Sequence, residues 1–142
     1  MIEFFVPGTP QALQRHRSTK SGHRYDPSAR DKQDFLAKAM ASRPEEPLLG
    51  PIALVVNCYF TRPKSHYRTG KYSRIFKDTA PKWHTSRPDA DNILKFIGDA
   101  LNDIFWHDDR QIVVAEIRKM YGPTPGIFVC IKHLKPLGEH NA

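Results

Sequence analysis

The chain has 142 residues, with 22 Lys and Arg against 15 Asp and Glu, a formal net charge of +7. Hydrophobic residues make up 39% and aromatics 11%, enough to build one core, which excludes global disorder. No apolar run approaches the roughly 20 residues of a membrane span, and the basic balance favours a polyanionic partner.

In chain order, "IEFFVPG" predicts a first strand closed by Pro7 and Gly8. The opening "MIEFFVPGTP" has no basic n-region, so no signal peptide is expected and a soluble, cytoplasmic protein is. "QRHRSTKSGHRYDP" is polar, basic and aperiodic, which predicts a basic loop over about 9–27. Ser28 followed by Asp31 resembles a capping box, opening a helix through Phe35, Leu36, Ala39 and Met40. "IALVVNCYF", residues 52–60, is the clearest strand, with Ile52, Leu54, Val56, Cys58 and Phe60 on one face. Cys58 and Cys130 both lie in strand-like runs without a CxxC pair, and read as buried free thiols rather than zinc ligands.

From 61 to 88 apolar periodicity disappears, which predicts a long basic loop of functional or mobile character. A second helix is expected over about Asn92–Ile104, with Asp91 as N-cap and a stripe of Leu94, Ile97, Leu101 and Ile104, Ile93 alongside. Gly98 inside that helix costs about 1 kcal/mol relative to Ala, which predicts close approach of another backbone there. "RQIVVAEIRKMY" and "GIFVCIKHL" predict two strands joined as a hairpin by "GPTPG". The sum is a single α+β domain, 1–142, on one mixed or antiparallel sheet, in the order β-α-β-(long loop)-α-β-β.

The acids cluster where a basic chain has least reason to place them. Asp89 and Asp91 stand two apart at the entry to the second helix, where an extended segment turns both to one side. Lys95 and Asp99 follow Asp91 on one helical face. "FWHDD" then supplies Asp108 and Asp109, and a short return brings one of them towards the first pair. Carboxylates gathered in one pocket repel unless protonated or bridged by a cation, and oxygen-only ligands suit Mg²⁺ or Mn²⁺. Taken alone, Asp89 and Asp91 are equally the mark of a capped, dipole-compensated helix. Asp99 and Asp103 read as solvated helix charges.

The basic loops complement this knot. Arg15, Arg17, Lys20 and Arg24, then Lys64, Arg68, Lys71, Arg74, Lys82 and Arg87, are candidate phosphate contacts. Tyr67, Tyr72, Phe76 and Trp83 are interleaved and suited to stacking on unpaired bases. Metal-assisted phosphodiester hydrolysis joins both halves. A non-catalytic nucleic-acid-binding module, or a metal-dependent nuclease on other branched DNA, stays open as the alternative.

"RPDADNILKFIGDALNDIFWHDDRQIV", residues 87–113, resembles the core motif of the RusA family of Holliday junction resolvases. There a D-x-D-N segment opens a helix carrying a lysine, and an Asp-Asp pair follows. "FFVPGTP" is similar to the family's opening strand and turn. The resemblance implies a homodimeric, Mg²⁺-dependent endonuclease, with Mn²⁺ able to substitute. Its action would be paired symmetric nicks in a four-way DNA junction, in recombination and repair. Carried over by position, Asp89, Asp91 and Asp109 are catalytic metal ligands, Lys95 the catalytic lysine and Asp108 a neighbouring acid at the metal. The chain departs from the family where "QALQRHRS" replaces a Lys-Gly-Arg-Pro-like run, and its 61–88 loop is long.

Overall fold

The most apolar strand takes the centre of the sheet. A computed structural model describes residues 1–15 and 17–135; His16, within the first basic segment, and residues 136–142 lie outside the described residues. Strands β1 (Ile2–Pro7), β2 (Arg17–Ser18), β3 (Arg24–Tyr25), β4 (Ile52–Phe60), β5 (Ile112–Tyr121) and β6 (Gly126–His133) accompany helices α1 (Ala29–Ala39) and α2 (Ala90–Leu101). The main sheet runs β1-β6-β4-β5, and β2 pairs with β3 as a separate small ribbon. This is the expected α+β order, with the ribbon added inside the first basic loop.

β4 pairs antiparallel with β6 and parallel with β5, so the sheet is mixed. The parallel pair requires a crossover, which the 61–89 segment and α2 supply. Ile52, Leu54, Val56, Cys58 and Phe60 are all buried, as the period-two pattern predicts. Both helices pack on that face. Phe35 of α1 meets Phe96 of α2 edge to face at 5.8 Å, and Phe4 of β1 meets Phe105 at 5.5 Å.

The expected β5–β6 hairpin is not formed. Residues 122–125 instead carry the chain over the end of β4, so that β4 lies between the two strands. A run this apolar is best satisfied with neighbours on both edges. Gly122 permits the passage: its N–H bonds the Phe60 carbonyl at 3.0 Å, and a Cβ there would stand 2.9 Å from the Tyr59 ring.

Two local expectations are also corrected. Ser28 makes no side-chain cap, because its own backbone is already helical (φ −91°, ψ −2°). Its buried hydroxyl accepts the Gln14 N–H at 2.8 Å, while Asp26 Oδ1 accepts the Ser28 N–H at 2.9 Å. Secondly, α2 begins two residues early, with Asp89 rather than Asp91 as its extended N-cap residue. It ends at Leu101, since Asn102 turns extended and Asp103 takes a left-handed φ of 67°. The buried face accordingly centres on Ile93, Phe96, Ile97, Ala100 and Leu101, with Leu94 and Ile104 only partly buried.

The 61–88 segment is the expected long loop, broken only by short helical turns and held by contacts of its own. His66 and Lys77 are joined by a backbone bond, as are Arg68 and Ile75. Lys82 and His84 bond Tyr121 and Lys119, extending the free edge of β5. Arg62 organises the interior: it bonds the Pro81 carbonyl at 2.7 Å and lies over the Phe76 and Tyr121 rings. His84 stacks on Phe60 with centroids 3.6 Å apart. Both cysteines are free and buried, as expected. Among the described residues no helix is long and apolar enough to cross a membrane.

Candidate active site

The entry to α2 is built by two segments held together through their backbones. The Leu13 N–H bonds the Asn92 carbonyl at 3.1 Å, and the Gln14–Ser28 bond fixes the same segment to the start of α1. Between them runs an open groove of about 570 Å³ lined by Gln11, Gln14, Arg87, Asp89 and Asn92. It borders a second hollow carrying Arg15, Arg24 and Asp99. Three of the predicted basic residues thus lie along one path that leads to Asp89.

Asp89 and Asp91 are both exposed at the positive end of the α2 dipole. Lys95 follows one turn later, also exposed, and has no ion-pair partner among the described residues. Gly98 comes seven residues after Asp91, within about 20° of the same face and about 10 Å further along the axis. At Gly98 the helix meets Asp109. A Cβ on Gly98 would stand 3.4 Å from Asp109 Oδ2 and 3.6 Å from Oδ1. The close approach that the glycine predicts is therefore made by a carboxylate and not by a second backbone.

Asp109 is held from its other side by Trp106, whose indole N–H donates to Oδ1 at 2.7 Å. Its turn is fixed by a capping box. Asp108 Oδ1 accepts the Arg110 N–H at 2.9 Å, and Gln111 Oε1 accepts the His107 and Asp108 N–H groups at 2.8 Å. Gln111 Nε2 then donates to the carbonyls of Leu48 and Gly50, tying the turn to the chain before β4. Asp108 and Asp109 are thereby separated. The former is engaged in its own turn, with Arg110 Nε 3.6 Å from its second oxygen, and the latter lies against α2.

Asp99 is not a purely solvated charge. It sits 3.6 Å from Lys32 Nζ, which also pairs with Asp26 at 2.6 Å, so that Lys32 links α1 to α2. Burial alone would lower the Lys32 pKa; the hydrogen bond and charge of Asp26, with those of Asp99, outweigh it and raise the pKa. Asp103 is exposed in its left-handed turn.

The oxygen donors suit a hard divalent cation in kind. Asp91 lies on the same side of α2 as Gly98 and Asp109, two turns apart, whereas Asp89, at the N-cap, lines the groove with Gln11, Gln14 and Asn92. No group of three Asp, Glu, His or Cys side chains close enough to hold a metal ion occurs among the described residues. The remaining predicted DNA contacts lie on exposed surface. Arg17 and Arg24 are in the β2–β3 ribbon and Lys20 is at its turn, where the Gly22 N–H bonds the Thr19 carbonyl. Lys64 and Arg74 are exposed on the long segment, Arg68 pairs with Asp78 at 3.5 Å, and Lys71 and Lys82 lie over Tyr72 and Trp83.

Sequence reasoning passed over Trp106, Gln111 and Lys32, and gave Ser28 a helix-capping role in place of its bond to Gln14. For Gln111 the signal was present, since D-x-x-Q at Asp108–Gln111 is a capping-box pattern. Ser28 and Lys32 act through partners distant in the chain, whereas Trp106 bonds Asp109 only three residues on, with no sequence pattern to mark it.

The family model of endodeoxyribonuclease RusA matches residues 7–132. The chain is also similar to the uncharacterized protein YqaN of Bacillus subtilis (strain 168), at 35% identity over 141 residues, which covers 94% of this chain and 96% of that one.

Proposed function

Because the chain belongs to the RusA endodeoxyribonuclease family, we propose that it resolves four-way DNA junctions by paired symmetric nicks, acting as a cytoplasmic homodimer whose single domain spans 1–142. The family match over residues 7–132 carries this reading. It is supported by Asp91, Lys95 and Asp109 along one side of α2 and Asp89 in the groove at its start, none of the three carboxylates making an ion pair among the described residues.

In this reading Asp89, Asp91 and Asp109, which as they stand form no three-ligand group, would close on Mg²⁺, or Mn²⁺, and the ion would supply a more acidic water and neutralise charge on the phosphodiester. Lys95 binds the scissile phosphate and offsets the charge that develops on it. Arg15, Arg24 and Arg87 seat one strand in the groove beside Asp89. Arg17, Lys20, Lys64, Arg68, Lys71, Arg74 and Lys82 hold the junction arms by phosphate contacts, which makes binding steeply salt-dependent.

The test incubates the protein with a labelled four-way junction and a matched linear duplex, in Mg²⁺ or in EDTA. Symmetric nicks in the junction alone, lost in EDTA, are expected, as is loss of cleavage with retained binding in Asp89→Asn, Asp91→Asn and Asp109→Asn. Lys95→Ala is expected to cost about 2.7–4 kcal/mol in kcat, by analogy with a lost oxyanion donor. Binding without cutting under any divalent metal would make the chain a DNA-binding module and the acids mere helix caps.

A further inference from the structure

We infer that Trp106 is a positioning residue for Asp109 and that Gly98 forms the seat in which Trp106 holds it; the inference rests on the function proposed above. Trp106 is 0% exposed, so its indole N–H cannot turn to water for an acceptor. It donates instead to Asp109 Oδ1 at 2.7 Å, the short range of a bond to a charged acceptor. The intervening turn is itself immobilised by Asp108 and Gln111.

On the opposite side the carboxylate fills the space that a side chain at position 98 would need, with three of its atoms 3.4–3.6 Å from where a Cβ would stand. An exposed aspartate on a turn ordinarily samples several rotamers. Here the indole on one side and the bare helix backbone on the other leave one. One oxygen is committed to Trp106, and Oδ2 lies nearest the α2 face that carries Asp91 and Lys95. Holding a ligating or reacting carboxylate in place before substrate arrives avoids reorganisation during the reaction. It also assigns a role to a glycine that otherwise weakens the helix.

The test is Trp106→Phe, which keeps an aromatic ring in the core and removes only the donor. On a four-way junction kcat is expected to fall tenfold or more, while KM and the junction Kd measured in EDTA stay within twofold. A kcat within threefold of wild type overturns the inference. Should that variant not fold, Gly98→Leu keeps the donor but occupies the seat; the same loss of kcat is expected, and an unchanged kcat overturns it.

A readout apart from cleavage is the Trp106 indole ¹H–¹⁵N signal, assigned with Trp83→Phe. It is expected to exchange slowly and to shift in Asp109→Ala but not in Asp108→Asn, which keeps the cap of the turn. A signal unmoved by Asp109→Ala refutes the link. A wild-type protein that cuts no junction refutes the proposed function instead, and the indole signal still decides whether Trp106 holds Asp109.

Discussion

Ser28→Ala isolates one bond that joins the groove to the body of the fold. The hydroxyl is 1% exposed and accepts the Gln14 N–H at 2.8 Å. The substitution opens almost no cavity, and it forfeits no helix cap, because Ser28 caps nothing with its side chain. What remains is the orphaned donor. A lost hydrogen bond costs about 0.5–1.5 kcal/mol net when water can replace the partner, and about 1–3 kcal/mol when it cannot. Water cannot reach the buried place of the Ser28 oxygen, yet Gln14 lies at the surface and can swing outward. The expected loss is therefore about 1–2 kcal/mol, taken up by local release of residues 10–15. Urea unfolding measures the total, and hydrogen exchange at the Gln14 amide locates it. Junction binding in EDTA is expected to weaken severalfold, since Arg15 loses its fixed approach to the groove. A stability change below about 0.3 kcal/mol with an equally protected Gln14 amide would show that this bond anchors nothing.

Three further outcomes follow from the packing. Gly126→Ala would place a Cβ 2.2 Å from Phe5 Cζ and 2.7 Å from the Val6 carbonyl, so backbone must move; a loss of about 1–3 kcal/mol or more is expected in urea unfolding. His84 is held below its ordinary pKa of 6.5, first by burial and then by the nearby Lys119 charge. The unfolded chain thus binds its proton more readily, and stability is expected to fall as pH drops below 6.5. His84→Phe, which can still stack on Phe60, should flatten that decline in a pH series of denaturation midpoints. Burial pushes the Cys58 thiol up to about 12, so Cys58 is expected to resist Ellman's reagent at pH 8 until the protein is unfolded.

What the sequence disclosed was whatever repeats locally. The alternation in β4 is visible because five apolar side chains recur at period two, and the structure buries all five. The existence of α2 is visible for the same reason. Its rotation was misjudged because Phe96, which meets Phe35 across the helix pair, was left out of the stripe. The passage of residues 122–125 over β4 had no local signature; a Gly-Pro connection serves a hairpin and a crossing alike. The long segment looked structureless because its order comes from Arg62, whose contacts with Phe76, Pro81 and Tyr121 follow no period. At the site, Asp89 and Asp91 were legible from spacing, but the clamp on Asp109 joins residues from a helix and a later turn.

The crowding of acids in a basic chain resolves into two kinds of carboxylate. Asp99 meets Lys32, and Asp108 caps its own turn and meets Arg110. Asp89, Asp91 and Asp109 make no ion pair among the described residues, and neither does the exposed Asp103 of the left-handed turn. The division makes neighbouring residues distinguishable. Asn caps as well as Asp, so Asp108→Asn should keep both its turn and junction cleavage. Asp109→Asn also keeps an acceptor for Trp106 and should keep the fold, yet cleavage should vanish because the charge is gone. Parallel single-turnover assays with far-UV spectra decide the matter. Loss of cleavage in Asp108→Asn with the fold intact would mean that the capping residue also serves the chemistry, and the separation drawn between the two aspartates would fail.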